Sequence, residues 1–370
     1  MKVLELTNYS AGVCGVWSRV QQEAQALAGR KHEVRVFSSD RVKGKPEERA
    51  AATEKIGKVK IKRFPARKLG GESFMSWDFL EEGRKFGPEV IIAHSYRHGH
   101  TAKALKLGNE LSVPVVLVTH APFGSETRSG LEGVAVKVYD ATLGRKALKE
   151  FAHVLAITKW EEPYLLELGL SRGKIGYSPN GIADAFFTKV SGMGDLKKIL
   201  FFGRVSPIKD VETVLRALSL LDEDVVLEIV GPVEEEYGVR LRELIGELGL
   251  GSRVSFKEAV FDVKEKVSLL DGAGVFVLPS KREGMPQALV EAMARQRIVV
   301  VSDTPGSSEL VEDGKTGFVF AVGSVKGCAR ALEKALGLRG LQRKRMGMRA
   351  RGRVQGFGWW KIVEGLEKLF

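Results

Sequence analysis

Short apolar segments alternate with amphipathic ones along the whole chain, and this pattern restricts the fold more than any other feature. The apolar runs that we interpret as strands are 3–7, 33–38, 59–63, 90–94, 115–119, 154–157 and 175–178 in the first half, and 199–202, 225–230, 254–256, 275–278 and 299–302 in the second. Strands separated by helices are typical of βαβ units, in which neighbouring strands run parallel. The sequence therefore predicts an α/β protein.

The length of the chain and its glycine positions predict two domains. A chain of 370 residues is longer than one hydrophobic core usually organises. Near the middle, Gly181, Gly192 and Gly194 mark a loop or linker. We therefore predict one domain over 1–190, a second over 191–352, and a C-terminal helix over 353–370.

The segment 278–294 combines a strand end, a short polar loop and a helix start. The loop carries Glu283 and Gly284, and Pro286 suits the first position of a helix. Free N–H groups at a helix start favour an anion such as phosphate, whereas a carboxylate would be repelled by phosphate and suits hydroxyl groups. Glu283, together with Glu291 further along the helix, thus predicts a ligand with both phosphates and hydroxyls. A sugar nucleotide has both.

A second cluster follows the apolar run 199–202. Gly203 and Arg204 come directly after the run, and Lys209 lies five residues beyond Arg204, before the next helix. A guanidinium offers a planar fork to phosphate oxygens, and an ammonium offers a point charge. This spacing predicts a phosphate clamp.

The two glutamates, seven residues apart inside Pro-Ser-…-Glu-Gly-…-Glu-Ala-Met-Ala, resemble the signature of the GT-B glycosyltransferases of family 4, the glycosyl transferases of group 1. The resemblance covers nearly the whole chain. It implies two Rossmann-like domains with parallel sheets facing across a cleft, and a last helix that returns to the first domain. It also implies a retaining hexosyltransferase that moves a sugar from a nucleotide-diphosphate sugar, a UDP-sugar or GDP-mannose, to a hydroxyl of a glycan, lipid or small molecule.

The resemblance assigns roles to individual positions. The catalytic residues it implies are His120, Arg204, Lys209 and Glu283. The donor-binding residues it implies are Gly15, Gly203, Arg204, Lys209, Pro232, Val260, Glu283, Gly284, Met285, Pro286, Gln287, Ala288 and Glu291. Gly12, His94 and Tyr96 are weaker candidates for the acceptor side. His120 would contact the donor sugar near the transferring carbon, Glu283 would hold sugar hydroxyls, and Glu291 would hold the ribose.

The loop after the first apolar run also suits a nicotinamide cofactor. Gly12 and Gly15 lie between this run and a predicted helix over 16–28, and Asp40 follows the second run. The Gly-x-Gly-x-x-Gly fingerprint of such sites is absent, however. The resemblance instead identifies this segment as the family's first glycine loop, which implies that the backbone near Gly15 meets the distal phosphate of the donor.

Neither a metal nor another cofactor is expected. An Asp-x-Asp triplet binds metal in another large class of glycosyltransferases, and Asp222 and Asp224 flank Glu223 in this way. The triplet lies in the turn before the run 225–230, at the edge of the sheet opposite the expected site. We interpret it as a solvated turn.

The charge is unevenly distributed. The net charge is +12 overall, with +9 in 1–190, −4 in 191–338 and +7 in 339–370. Eleven lysines and arginines fall in 41–68, which is either a flexible exposed loop or a surface that contacts anionic membrane. No nucleic-acid motif accompanies the charge, so nucleic acid is not an expected partner. A lipid-linked acceptor would fit membrane contact.

Other features predict a cytoplasmic protein, with peripheral contact at the inner face of the membrane left open. The chain starts with a strand, has no apolar run of membrane-spanning length, and contains only Cys14 and Cys328. Near the C-terminus, Trp359 and Trp360 are expected to be buried. One departure from the family is Arg295-Gln296-Arg297, where relatives usually have glycine, so a different helix cap is expected.

Two other classes of function fit the same residues. An epimerase or hydrolase on this fold would bind the same donor without a sugar acceptor. A catalytically silent protein would bind the donor without turnover, although Arg204, Lys209, Glu283 and Glu291 are all present. Incubating the protein with donor alone separates these classes.

Overall fold

The chain folds into two structural units. A computed structural model describes residues 1–12, 14–68, 75–123, 131–190 and 192–370, without the side chains of Lys68, Leu131 and Glu132. The first unit comprises Met1–Gly181 and Trp359–Phe370, and the second comprises Ile182–Gly358. The boundaries predicted at 190 and 352 lie about nine and six residues from these divisions.

The first unit is built around a sheet of eight strands. The strands of this unit, inside and outside the sheet, are β1 (Lys2–Thr7), β2 (Glu33–Ser39), β3 (Arg41–Val42), β4 (Lys45–Arg49), β5 (Thr53–Ile56), β6 (Val59–Phe64), β7 (Arg67–Lys68), β8 (Met75–Ser76), β9 (Val90–His94), β10 (Val115–Val118), β11 (His153–Ala156) and β12 (Ile175–Tyr177). Its helices are α1 (Gly15–Gly29), α2 (Leu80–Phe86), α3 (Gly99–Leu111), α4 (Leu131–Tyr139), α5 (Arg145–Glu150) and α6 (Glu162–Glu167), and the C-terminal helix belongs to it as well.

The strand order of the large sheet is β12-β11-β10-β9-β1-β2-β6-β5, and every pair is parallel except β5–β6. Two antiparallel pairs, β3–β4 and β7–β8, lie outside it. The central strand β9 is buried along its whole length. Strands covered on both faces are continuous apolar runs, which explains why the sequence pattern located them.

The second unit contains a sheet of six parallel strands. Its elements are β13 (Asp195–Phe202), α7 (Val211–Leu218), β14 (Val226–Val230), α8 (Glu235–Glu247), β15 (Val254–Lys257), α9 (Val263–Gly272), β16 (Ala273–Leu278), α10 (Gln287–Ala294), β17 (Ile298–Ser302), α11 (Pro305–Leu310), β18 (Phe318–Phe320), α12 (Val325–Gly337) and α13 (Gly340–Val354). The strand order is β15-β14-β13-β16-β17-β18. Helices such as α7 bury one apolar face, with Val211, Val214, Leu215 and Leu218 at helical spacing.

The last helix, α14 (Trp359–Glu367), belongs to the first unit and packs against α1. Trp359 is buried, and its indole N–H donates to the Gln22 side chain at 2.6 Å. Trp360 is half exposed, so its predicted burial is wrong. Because α14 buries one apolar stripe, adjacent tryptophans cannot both face inwards.

The residues Arg295, Gln296 and Arg297 connect the end of α10 to the start of β17. Gln296 adopts the left-handed backbone conformation (φ 58°) that glycine usually takes at a helix end. Arg295 and Arg297 are buried, and Arg297 donates to the carbonyls of Gly192 and Ala273. The departure from the family pattern thus holds the segment after Ile182 against the second sheet.

The basic stretch 41–68 is not a flexible loop, which corrects one of the two sequence interpretations. It contains β3, β4, β5, β6 and β7. Arg63 is buried, with hydrogen bonds to the hydroxyl and carbonyl of Ser10, whereas every residue of β4 is exposed. In the part of the chain that the structure describes, no helix is both long and apolar enough to cross a bilayer.

Candidate functional site

The carboxyl ends of the parallel strands bring the predicted residues to one edge of each sheet. In the second unit, the chain leaves β13 towards β14 on one side and returns as β16 on the other. This change of direction leaves a crevice between the loops after β13 and β16, where ligands bind in open parallel sheets. The loop after β13 carries Lys209, and the loop after β16 carries Glu283.

Lys209 and Glu283 are in direct contact at this crevice. The Lys209 ammonium donates to Glu283 Oε1 at 2.5 Å, and the buried Ser280 hydroxyl donates to the same oxygen at 2.6 Å. The Glu283 side chain is 9% exposed and that of Lys209 is 20% exposed. A nearly buried carboxylate is thus held by one cation and one hydroxyl, and no role was predicted for Ser280.

Arg204 lies apart from this pair. Its side chain is 55% exposed and forms an ion pair with Glu234 at 3.3 Å. The two loops that carry them are joined by backbone hydrogen bonds of Val205, which donates to the Pro232 carbonyl at 2.8 Å. Arg204 therefore remains available to a ligand, because exposed ion pairs contribute little stability.

Glycines bring four loops of this edge into close contact, in two pairs. A Cβ at Gly231 would lie 2.1 Å from the carbonyl oxygen of Gly203, and one at Gly306 would lie 2.0 Å from that of Gly284. Only a residue without a side chain fits at either position. The loops after β13 and β14, and those after β16 and β17, are therefore packed backbone to backbone.

The helix α10 begins one residue later than predicted. Pro286 is its N-cap residue, and Gln287 and Ala288 form its first turn, so their backbone N–H groups lie at the positive end of the helix dipole. Gly284 and Met285 precede the cap. This part of the predicted phosphate-binding segment lies at the same edge of the sheet as Lys209.

Glu291 lies on α10 and is buried. Burial raises its pKa to about 7, an effect that the charge of Lys266 partly offsets. In the unfolded chain this carboxyl loses its proton near pH 4.5, whereas the folded protein retains it up to about pH 7. The contribution of Glu291 to stability is therefore largest below pH 4.5 and is lost as the pH rises through this window.

The remaining predicted positions of the second unit lie on loops. Val260 is partly buried against the hydrophobic core after β15, while the adjacent Phe261 is 72% exposed. Asp222 and Asp224 lie in the turn before β14, within 4 Å of the Lys197 ammonium. As predicted, that turn is at the amino ends of the strands.

In the first unit, His120 lies in a strained loop after β10. His120 (φ 61°) and Ala121 (φ 53°) are both left-handed, which costs a non-glycine residue stability and is typical of functional sites. The buried carboxylate of Glu161 holds this loop by accepting from the Thr119 hydroxyl at 2.5 Å and from the Ala121 N–H at 3.1 Å. Glu161 was not predicted, because these two partners lie about forty residues away; its other oxygen accepts from the nearby N–H groups of Ile157 and Thr158.

Two of the weaker acceptor-side candidates are buried rather than open to a ligand. His94 is fully buried, and its Nδ1 lies 3.0 Å from His120 Nε2. The Tyr96 hydroxyl donates to Asp140 at 3.0 Å. Both side chains thus contact other protein groups of the first unit, and their assignment to the acceptor side stays a prediction.

The glycine loop after β1 has two distinct parts. Gly12 has a left-handed backbone (φ 82°) and packs against Lys43, since a Cβ there would lie 2.3 Å from the Lys43 carbonyl oxygen. Gly15 is the first residue of α1 and has open space at its Cβ position. Gly12 thus serves the turn, and Gly15 remains accessible to a ligand.

Two protein-family models match the chain in succession. The one described as Glycosyltransferase Family 4 matches 13–186, and the one described as Glycosyl transferases group 1 matches 185–353. The chain belongs to the group 1 glycosyltransferases. Both the predicted family and the predicted α/β class, with two parallel-sheet units, are confirmed.

Curated relatives of this glycosyltransferase carry related names. A D-inositol 3-phosphate glycosyltransferase of Nocardia farcinica is 30% identical over 273 residues, covering 69% of this chain and 60% of the relative. An uncharacterized glycosyltransferase of Methanocaldococcus jannaschii is 27% identical over 248 residues, covering 63% of this chain and 61% of the relative. The matches thus span about 60% of these relatives' own lengths.

Solved structures share the GT-B fold at low sequence identity. A sucrose-phosphate synthase from Thermosynechococcus elongatus superposes with a TM-score of 0.77 at 20% identity, covering 100% of this chain and 98% of that one. HepE of Anabaena, solved in complex with UDP-glucose, gives a TM-score of 0.75 at 18% identity with the same coverage. These likenesses establish the fold of the glycosyltransferase.

Proposed function

We propose that this protein is a retaining hexosyltransferase that transfers a sugar from a UDP-sugar to a hydroxyl acceptor without a metal ion. The observation that carries the proposal is the contact between Lys209 and Glu283 at the crevice of the second sheet. This contact places a cation suited to phosphate beside a carboxylate suited to sugar hydroxyls. The UDP-glucose bound to HepE supports uracil as the base.

Charge stabilisation is the main task of the proposed site. Negative charge builds on the departing diphosphate as the bond to the sugar breaks, and donors fixed in advance lower the energy of that state. We assign this role to Lys209, to Arg204 and to the N–H groups at the start of α10. These groups would replace a divalent cation.

The carboxylates would bind the neutral parts of the donor. Sugar hydroxyls would donate to Glu283, and the two hydroxyls of the ribose would donate to Glu291. His120 would hydrogen-bond the sugar near the transferring carbon and steady the positive charge that develops on its ring. The departing phosphate would take the proton of the acceptor hydroxyl.

The acceptor belongs to the same proposal. A lipid-linked acceptor fits the exposed β4 strand, where Lys45 and Arg49 could approach anionic headgroups at about 1 kcal/mol per charge. Peripheral contact of a cytoplasmic enzyme with the inner face of a membrane would follow. The name of the Nocardia relative points instead to a phosphorylated cyclitol as the acceptor.

Donor binding can be tested with a thermal-shift screen of UDP-, GDP- and ADP-sugars, each with and without EDTA. A UDP-sugar is expected to raise the melting temperature in both conditions, because a ligand at 100 times its Kd adds about 2.7 kcal/mol of stability. Transfer to a panel of hydroxyl acceptors with the same donor should persist in EDTA. Loss of binding and turnover in EDTA would contradict the metal-free mechanism.

Donor binding should also release a proton. At pH 7 the Glu291 carboxyl is about half protonated, and ribose hydroxyls that donate to it favour the ionised form. We expect about 0.5 proton to be released per donor bound at pH 7, measured by calorimetry in buffers of different ionisation enthalpy. The Glu291→Gln variant is the matched control and should show no buffer dependence. Equal buffer dependence in both proteins would remove Glu291 from the donor site.

A further inference from the structure

A buried polar cluster in the first unit lies directly behind His120. Glu5 on β1, Glu23 on α1 and His94 on β9 are each fully buried, and their ligand atoms all lie within 4.8 Å of one another. His94 Nε2 lies 3.3 Å from Glu5 Oε2 and 3.8 Å from Glu23 Oε1. Within the described residues, both Glu5 oxygens, Glu23 Oε1 and His94 Nε2 have no regular hydrogen bond. The opposite nitrogen of His94 contacts His120.

Orphaned buried polar atoms are costly, so the cluster requires something that joins them. The only cation bonded to the carboxylates among the described residues is Arg19, which pairs with Glu23 at 2.8 Å and also donates to the carbonyls of Ser178 and Pro179. Two carboxylates and one guanidinium leave one excess negative charge. A single proton on Glu5 neutralises this charge, whereas a divalent cation would leave a positive excess beside Arg19.

The location of that proton determines the orientation of both imidazoles. A protonated Glu5 donates to His94 Nε2, so neutral His94 carries its hydrogen on Nδ1 and donates to His120 Nε2. Neutral His120 then carries its hydrogen on Nδ1, its outer nitrogen. An ionised Glu5 accepts a hydrogen bond from His94 Nε2 instead. Each imidazole then adopts the opposite tautomer, and the outer nitrogen of His120, Nδ1, carries no hydrogen.

We propose that a proton held on Glu5 beside Glu23 sets the tautomers of His94 and His120, so that the outer nitrogen of His120 is a hydrogen-bond donor. Glu5, Glu23 and His94 are positioning residues in this arrangement. The proposal rests on the proposed function in one respect only: the N–H group of His120 would bind an oxygen of the sugar nucleotide. The tautomers themselves are independent of catalysis.

The surrounding charges favour the same arrangement. Burial and the charge of Glu23 raise the pKa of Glu5, against the opposing effect of Arg19. Burial lowers the pKa values of His94 and His120 well below the usual range, with further contributions from neighbouring imidazoles and from Arg19. His98 and His100, which follow β9, are the other titratable groups that affect these rings. Both rings are therefore neutral near pH 7.

Nitrogen-15 NMR of histidine-labelled protein at pH 7 tests the proposal, because the chemical shift separates protonated from unprotonated ring nitrogens. Signals are assigned with His94→Gln and His120→Gln. We expect Nδ1–H tautomers for both His94 and His120. The wild-type spectrum alone decides, since an Nε2–H tautomer of His120 would overturn the proposal, as would a stoichiometric divalent metal in elemental analysis of the purified protein.

Two variants of Glu5 separate the role of its proton from a structural role. The amide of Glu5→Gln can donate to His94 as the protonated carboxyl does, so the wild-type tautomers should be retained, together with most of the turnover. Glu5→Leu offers no donor, so both tautomers of His120 should be populated and kcat should fall more than KM changes. Identical spectra for wild type and Glu5→Leu would refute the proposal. Expected tautomers in a protein that neither binds nor turns over sugar nucleotides would refute the proposed function alone.

Discussion

Replacing Lys209 with alanine is expected to lower kcat/KM for sugar transfer by about 10²- to 10³-fold, which is the usual effect of removing one fixed donor to a developing negative charge. The variant would also leave the nearly buried Glu283 carboxylate without its cation, held by the Ser280 hydroxyl. That carboxylate would then be less well placed to hold sugar hydroxyls. Steady-state kinetics over a range of donor concentrations measures the change.

Lys281 provides a matched control for this prediction. It lies two residues before Glu283, is 55% exposed, and approaches Asp210 at 3.6 Å. Because the Lys281 ammonium is exposed and lies beyond hydrogen-bond distance of Asp210, Lys281→Ala should leave kcat/KM within a few-fold of wild type. Equal losses in the two variants would show a general effect of loop charge, and unchanged kinetics in Lys209→Ala would exclude Lys209 from the site.

Replacing Arg295 with methionine is expected to destabilise the second unit by about 3–5 kcal/mol, the usual cost of breaking a buried ion pair. Arg295 is 1% exposed, pairs with Asp271 at 2.5 Å, and donates to the Phe186 and Thr188 carbonyls. All five tryptophans lie in the first unit, so their fluorescence does not report on this change. The loss of stability can instead be measured by native-state hydrogen exchange of the backbone amides in β16 and α10.

Two further variants make the Arg295 experiment decisive. Arg345→Met removes an exposed arginine of the same unit and should change stability by no more than about 0.5 kcal/mol. Arg295→Met combined with Asp271→Leu removes both charges, so it should be less destabilised than Arg295→Met alone. If the double variant is the less stable of the two, the loss comes from packing and the carbonyl contacts rather than from the stranded carboxylate.

The central strands of both sheets could be predicted from sequence, as could the edge strands β12 and β15, whereas the edge strands β5 and β18 could not. Residues of β9 and β16 are buried on both faces and therefore form continuous apolar runs. Every residue of β4 is exposed, so its sequence contains no apolar pattern, and its pairing with β3 depends on the rest of the unit. The three-residue strand β18 was too short to show a period.

The candidate site was predictable where a charged residue lies in the loop after a central strand. Lys209 and Glu283 each follow a central strand, and the carboxyl ends of parallel strands share one edge, so their proximity follows from the fold class. The partner of Arg204 was not predictable, because Glu234 lies in the loop after β14, and the path of that loop does not follow from the fold class.

The buried network of the first unit shows the limit of sequence reasoning. A glutamate inside the apolar segment of β1 is a visible anomaly, yet nothing nearby identifies its partners. Glu23 and His94 come from different elements, and only the order of the strands brings them together. The same holds for Glu161, which supports His120 from a distant helical turn.

The contact between Gly306 and Gly284 has a consequence for efforts to engineer a new donor preference. Since the backbone at 306 touches the peptide next to Glu283, any bulkier amino acid introduced there would push that peptide away. Saturation libraries that include this codon would return glycine alone among active clones. Variation that retains the placement of the carboxylate has to be introduced at other positions of these loops, such as the exposed Arg282.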